Sequence, residues 1–321
     1  MELDAHKSAV ARAYGLASEG YNKPALRFFS QGAESLVDFA SLSPGLRILD
    51  IASGTGHAAL YAGRKVGVRG SVVGIDIAEQ MVDLANAHAR TLPAPNVHFE
   101  LMDAEHTAFP DNEFDAILCS YGVFFIPSMA NGIREWKRVT KHGGWVCLSA
   151  FGETAFQPQS DLFENRIRQF GPIIPDRKRP FGWQRLVELE SLTALLNEAG
   201  LINIEAREVK IGYLLGNQEE WWDICWNSGF RGPLARLNAS DLRQFKEDHL
   251  REVGALGRGD GIFLTEQPSL PEDKCRNSIR QGRRGRRRSS AYHEIDRAYE
   301  AEVRTRPRAT CRFSVVQRHR N

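Results

Sequence analysis

The feature that most constrains the fold is a glycine-rich turn between an apolar run and a helical pattern. Residues 48–57 read Ile-Leu-Asp-Ile-Ala-Ser-Gly-Thr-Gly-His, which predicts a strand that ends before the turn and a helix that begins after it. Gly54 and Gly56 allow a sharp turn and a close approach of the backbone to a ligand. Asp76 ends the next apolar run, where a carboxylate can accept hydrogen bonds from both hydroxyls of a ribose. The spacing therefore predicts a nucleotide-like ligand beyond the carboxyl ends of the strands.

Strands and helices alternate beyond this turn. The predicted strands are 46–51, 71–75, 97–101, 114–120, 144–150 and 202–206. Apolar residues at helical spacing separate several of them, as in Met81, Val82 and Ala85. This alternation predicts an α/β sheet of parallel strands that helices cover on both faces.

Two classes of nucleotide ligand fit the turn. Residues 54–59 match the dinucleotide pattern Gly-x-Gly-x-x-Ala, so an NAD(P)-dependent oxidoreductase is one alternative. Asp50 directly precedes the turn and Asp103 ends the third strand, and both carboxylates would repel a pyrophosphate. S-adenosylmethionine carries a sulfonium, an ammonium and no phosphate, so it suits an acid-lined pocket better.

These residues resemble those of a class I S-adenosylmethionine-dependent methyltransferase, of the group that includes ubiquinone/menaquinone-biosynthesis-type and natural-product enzymes. The resemblance covers roughly residues 10–260, with Ala52 where many members carry glycine. It implies a Rossmann-like doubly wound sheet of about seven mostly parallel strands, a helical cap over 1–43 and a lid inserted after strand five. It also implies in-line transfer of a methyl group from S-adenosylmethionine to a small, largely apolar or aromatic metabolite, with S-adenosylhomocysteine as the second product.

The resemblance also assigns residues to the site by motif position. The implied cofactor-binding residues are Asp50, Ala52, Gly54, Gly56, Asp76, Ile77, Met81, Asp103, Ala104 and Ser120. Among them, Asp50 and the turn would hold the methionine part, Asp76 the ribose and Asp103 the adenine. The candidate catalytic residues, for orientation or base catalysis, are Tyr14, Tyr21 and His57.

Aromatic residues concentrate where an acceptor would enter. They are Tyr121, Phe124, Phe125, Phe151, Phe156, Phe181, Trp183, Trp221 and Trp222. Some of these residues belong to a core, since aromatic stripes usually do. We expect segment 151–183, together with 216–253, to form a lid over a largely apolar pocket.

The distribution of charge divides the chain. The last 51 residues hold 15 Lys/Arg and 6 Asp/Glu, whereas the first 270 residues hold 27 and 34. We therefore expect a methyltransferase domain over 1–268 and a basic, disordered tail over 269–321. An arginine-rich tail could recruit a nucleic acid or a protein as the methylated substrate, but the body is acidic, so nucleic acid is not the expected partner. The family that the sequence resembles has a last strand in this region, and arginine-rich sequence stands there instead. We therefore expect this strand to be short or missing, as a shifted reading frame or an unrelated fusion would leave it.

Other features exclude further classes. No run of 18 apolar residues is present, which argues against a membrane span, and the N-terminus has no apolar segment of a secretory signal. The five cysteines are scattered without the spacing of metal ligands. We therefore expect reduced thiols, a cytoplasmic location and no bound metal.

Overall fold

A mixed sheet with helices on both faces forms the centre of the molecule in a computed structural model, which describes residues 2–92, 94–171, 185–257, 261–264 and 309–316. The strands are Arg47–Ile51 (β1), Ser71–Asp76 (β2), Val97–Leu101 (β3), Phe114–Ser120 (β4), Thr140–Phe151 (β5), Ile204–Ile211 (β6), Tyr213–Leu215 (β7), Ile262–Leu264 (β8) and Ala309–Val316 (β9). The helices are Glu2–Ala17 (α1), Phe28–Ala40 (α2), His57–Val66 (α3), Glu79–Thr91 (α4), Met129–Val139 (α5), Gln159–Ile167 (α6), Leu189–Glu198 (α7), Gln218–Asn227 (α8), Arg231–Leu234 (α9) and Ala239–Gly254 (α10).

Five strands form a continuous parallel block in the order β3-β2-β1-β4-β5. Ile48, Leu49 and Ile51 of the central strand β1 are fully buried, because helices cover both faces of the sheet. The strand order reverses between β1 and β4, and the connections diverge there and leave a crevice beyond the carboxyl ends. The prediction of a Rossmann-like doubly wound fold is confirmed, with five strands in the parallel block.

The strand that comes last in the sequence, β9, lies in the segment predicted as a basic tail. β9 pairs antiparallel with β5 on one side and with β6 on the other, so that Ser314 lies opposite both Leu148 and Ala206. The prediction of disorder is therefore wrong for residues 309–316, and the last strand, which was predicted to be short or missing, is present there with 8 residues. The run Ala-Thr-Cys-Arg-Phe-Ser-Val-Val has strand-like alternation that the surrounding arginines obscured. The remainder of 269–321 lies outside the described residues.

Two N-terminal helices lie within the segment predicted as a cap. α2 turns an apolar face to the sheet, with Leu36 and Val37 buried and Phe28 and Phe29 at its start. α1 has a weaker apolar face, and Leu16 near its end is 62% exposed. Hydrophobic burial therefore holds α2 more firmly than α1.

The segments predicted as a lid pack against one another. The rings of Phe163 on α6 and Phe245 on α10 lie 5.2 Å apart, and Arg166 on α6 pairs with Asp248 and Glu252 on α10. Residues 172–184 of the first segment lie outside the described residues, so a lid function stays a prediction. In the described part of the chain, no helix combines the length and apolarity needed to cross a bilayer.

Candidate active site

The glycine-rich turn after β1 uses backbone conformations that favour glycine. Gly54 and Gly56 have φ of 53° and 93°, and Ala52 has φ of 51°. A Cβ on Gly56 would lie 2.6 Å from the Phe99 ring, so this position also requires glycine for space. The turn is thus a fixed element that brings backbone N–H groups to the crevice.

Asp76 connects this turn to β2. One of its oxygens accepts a hydrogen bond from the Gly54 N–H, and the other accepts one from the Ala78 N–H, both at 2.9 Å. Burial raises the pKa of the Asp76 carboxyl, and the backbone N–H groups oppose this shift. The side chain therefore fixes the turn while it lines the crevice.

A cavity, partly open to solvent, occupies the crevice. The predicted site residues that line it are Tyr14, Tyr21, Ala52, Gly54, Asp76, Ile77, Met81, Asp103, Ala104 and Ser120. The Ser120 hydroxyl is buried and has no hydrogen-bond partner among the described residues, so it is available to a ligand. We refer to this space as the first cavity.

Lys7 on α1 is a lining residue that the sequence analysis missed. Its ammonium lies 2.6 Å from an Asp103 oxygen and 2.7 Å from a Glu105 oxygen. Burial opposes the charge, but hydrogen bonds to these two acids outweigh it and raise the pKa of Lys7. Lys7, Val10 and Tyr14 all line the cavity at helical spacing, which is the sequence signal that could have identified them.

Asp50, Gly56 and His57 lie away from the lining of the first cavity. Asp50 is almost fully buried behind the turn, where it accepts a hydrogen bond from the Ala59 N–H at 3.0 Å. Burial raises the pKa of Asp50 to about 8, so much of this carboxyl is uncharged at neutral pH. Burial and the neighbouring His88 lower the pKa of His57 to about 4. The roles predicted for these residues stay predictions.

Tyr14 and Tyr21 both line the cavity, and their rings meet edge to face with centroids 6.1 Å apart. Burial raises the pKa of both phenols, and the nearby Asp76 adds to this shift. The hydroxyls therefore stay protonated at neutral pH and are suited to donating hydrogen bonds rather than to removing protons.

A second cavity adjoins the first. Its aromatic lining residues are Tyr14, Phe28, Phe29, Tyr121, Phe124, Phe125, Phe151, Phe156, Phe163 and Phe230. Phe28, Phe29, Phe163 and Phe230 were not predicted, since they come from helices and turns far apart in the sequence. Tyr14, Tyr121 and Phe125 line both cavities.

Two of the predicted aromatics, Trp221 and Trp222, have other positions. Trp221 is fully buried and donates a hydrogen bond from its indole N–H to His249 at 2.8 Å, so its role is in packing. Trp222 stacks on Trp226 and does not line the second cavity. Phe181 and Trp183 lie outside the described residues.

Comparison with known proteins agrees with this geometry. A family model described as a methyltransferase domain matches residues 48–144. The chain is 33% identical over 175 residues to aklanonic acid methyltransferase DauC of Streptomyces sp.. The match covers 54% of this chain and 77% of that protein. It is 29% identical over 178 residues to the ubiquinone/menaquinone biosynthesis C-methyltransferase UbiE of Cronobacter sakazakii, covering 52% and 71%.

A solved structure shows the same fold. The YcgJ protein of Bacillus subtilis matches with a TM-score of 0.51 and 19% identity, over 90% of this chain and 98% of that chain. The fold and the matched domain define a methyltransferase. The chain belongs to the class I S-adenosylmethionine-dependent methyltransferase family, and it transfers a methyl group from S-adenosylmethionine to a small molecule. The relatives do not support an oxidoreductase or a nucleic-acid methyltransferase.

Proposed function

We propose that the first cavity holds S-adenosylmethionine and that the second holds a flat, largely apolar aromatic acceptor. The observation that carries this proposal is that Tyr14, Tyr121 and Phe125 line both cavities. A donor and an acceptor in adjoining cavities meet at these shared residues, and an in-line displacement requires such a meeting.

The charge of the first cavity supports this assignment. Asp76, Asp103 and Glu105 line it, and Lys7 is the one basic side chain among its described lining residues. Lys7 is already paired with two of these acids, so it is not available to a phosphate. The lining therefore suits a cationic ligand better than a dinucleotide. In this proposal Asp76 holds the ribose, Asp103 with Ala104 holds the adenine, and Ser120 with the glycine-rich turn holds the methionine part.

The aromatic lining of the second cavity supports the acceptor class. Flat rings stack on aromatic side chains and bury a large apolar area there. The relatives UbiE and DauC carry ubiquinone/menaquinone biosynthesis and aklanonic acid in their names. We extend this class of ring-containing acceptors to the present chain.

The chemistry then requires that the protein position the two reactants and exclude water from the place where they meet. Bound S-adenosylmethionine supplies a methyl group on a positively charged sulfur. The aromatic walls exclude water from the junction, and the protonated phenols of Tyr14 and Tyr21 donate hydrogen bonds that orient the reacting groups. An acceptor oxygen that is already ionised needs no protein base in this arrangement.

Binding and transfer measurements test the proposal. We expect S-adenosylhomocysteine to bind in calorimetry and NAD not to bind, and radiolabelled methyl groups to reach members of a panel of hydroxynaphthoquinones and naphthoic acids. Phe230→Ala should raise the acceptor KM about tenfold and leave S-adenosylhomocysteine affinity unchanged. Phe109→Ala is the matched control, since Phe109 packs on Phe114 and lines neither cavity. An equal effect of the two variants on acceptor KM would contradict the assignment of the second cavity.

Two further expectations belong to this proposal. The catalytic domain includes residues 1–268, with 309–316 added through β9. Cys119, Cys147 and Cys225 are free and buried, which supports the cytoplasmic location expected from the scattered cysteines.

A further inference from the structure

The second cavity has few polar side chains in its described lining, and Ser228 contributes a buried hydroxyl without a partner to it. Among its described lining residues, His6 donates from Nε2 to the Phe125 carbonyl at 3.1 Å, and Glu164 pairs with Arg168 at 3.0 Å. The Ser228 hydroxyl differs from these groups. It is buried, the residue is 8% exposed, and the oxygen has no hydrogen-bond partner in the described part of the chain.

Ser228 is fixed in position at the end of α8. Its carbonyl accepts a hydrogen bond from the Arg231 N–H at 3.0 Å, so the local turn uses the backbone and leaves the hydroxyl unused. The next residue, Gly229, would place a Cβ 4.0 Å from the Tyr14 hydroxyl. Because Tyr14 lines both cavities, Ser228 lies at the end of the second cavity that faces the first.

A buried hydroxyl without a partner costs free energy unless a ligand satisfies it. Around it the cavity is aromatic, so a ligand that fits the walls and carries one oxygen at this end would complement both features. A site that hydrogen-bonds a substrate oxygen also discriminates strongly against an analogue that lacks it.

We propose that Ser228 is a specificity-determining residue, whose hydroxyl binds a hydroxyl or carbonyl oxygen of the aromatic acceptor at the end that faces the methyl donor. This inference rests on the proposed function of the second cavity and adds the chemical group that the acceptor carries. Tyr14, whose hydroxyl lies close to Gly229, is the second donor at this end. Together, the hydroxyls of Ser228 and Tyr14 distinguish oxygenated aromatic acceptors from hydrocarbons of the same shape.

Two probes of matched shape test this role. The full chain, saturated with S-adenosylhomocysteine, is titrated with 2-naphthol and with 2-methylnaphthalene, in which a methyl group replaces the hydroxyl. The wild-type chain should prefer 2-naphthol. Ser228→Ala should weaken 2-naphthol binding about tenfold and leave 2-methylnaphthalene binding unchanged, which also shows that the variant is folded.

Ser228→Thr keeps the hydroxyl and should retain the wild-type preference. A Ser228→Ala chain with the wild-type ratio of affinities would overturn the role of Ser228 and leave the acceptor cavity standing. If neither probe binds the wild-type chain, the acceptor cavity itself is refuted, and the role of Ser228 with it.

Discussion

The two cavities meet at three shared residues but are built in different ways. The first is lined mainly by the ends of neighbouring strands and the turns that follow them, with α1 across from them. Its carboxylate Asp76 is held by backbone N–H groups. The second is lined by aromatic residues. These come from α1, α2, the segments after β4 and β5, and the region from α6 to α9. A cofactor can thus be held by a frame of strand ends, while the acceptor is selected by helices and loops outside the sheet.

The sharpest test of this contrast is the carboxylate that belongs to the frame. Asp76→Asn replaces one acceptor oxygen by an NH₂ group, which then faces the N–H of Gly54 or Ala78. We expect affinity for S-adenosylhomocysteine to fall about a hundredfold, because hydrogen bonds to a charged group are lost on the backbone and on the ligand. Calorimetry measures the loss. Asp38→Asn is the control, since Asp38 pairs with Lys65 on the surface. Near-normal affinity in the Asp76 variant would refute its ribose role.

Sequence reasoning succeeded where the site is built from strand ends. The turn after β1 and Asp76 could be predicted, because the carboxyl ends of adjacent parallel strands meet at one edge. Phe230 could not, since it reaches the site through tertiary packing that no local pattern records. Lys7 was missed although its helical spacing with Tyr14 carries a signal. β9 was missed for another reason. Its short alternating run lies among arginines, and only the unpaired edges of β5 and β6 determine where it goes.

The next prediction concerns α1, which contributes to both cavities. Lys7→Met removes the ion pairs to Asp103 and Glu105 but keeps a long side chain. We expect S-adenosylhomocysteine affinity to fall about tenfold and its dissociation to accelerate, because these pairs fix a weakly buried helix over the first cavity. Stopped-flow displacement measures the dissociation rate. The matched variant Lys23→Met removes an ion pair to Asp223 and should have little effect. Tighter binding by Lys7→Met would mean that the ammonium competes with the ligand for Asp103.

The two regions should also respond to pH with opposite sign. Burial, with Asp76 nearby, raises the pKa of Asp50 from 3.8 to about 8, so its protonated form stabilises the fold and that contribution is lost as pH rises from about 4 to 8. Burial, with Arg166 nearby, lowers the pKa of His249 from 6.5 to about 4, so its neutral form stabilises the fold and that contribution is lost as pH falls from about 6.5 to 4.

Paired variants separate the two contributions. The unfolding free energy of the wild type, relative to Asp50→Asn, should decrease with rising pH by up to about 1.4 kcal/mol per pH unit. Relative to His249→Gln, it should increase with rising pH between about 4 and 6.5. Urea titrations at a series of pH values measure both differences. If the two differences in unfolding free energy changed with pH in the same direction, the opposite roles given to Asp50 and His249 would be contradicted.

The smallest expected effect lies in the turn itself. Ala52 has φ of 51°, a conformation in which a Cβ is unfavourable. Ala52→Gly should therefore raise stability by about 0.5–1 kcal/mol, seen as a rise in Tm of roughly 1–4 °C. Affinity for S-adenosylhomocysteine should change less than about twofold, because the turn already has the conformation that glycine favours. Ala62→Gly within α3 is the control and should lower Tm, since glycine there increases the entropy of the unfolded chain without relieving strain. If Ala52→Gly lowered Tm as well, the methyl group of Ala52 would stabilise the fold through packing more than it destabilises it through the backbone. The turn that lines the first cavity would then depend on side-chain contacts, as the second cavity does.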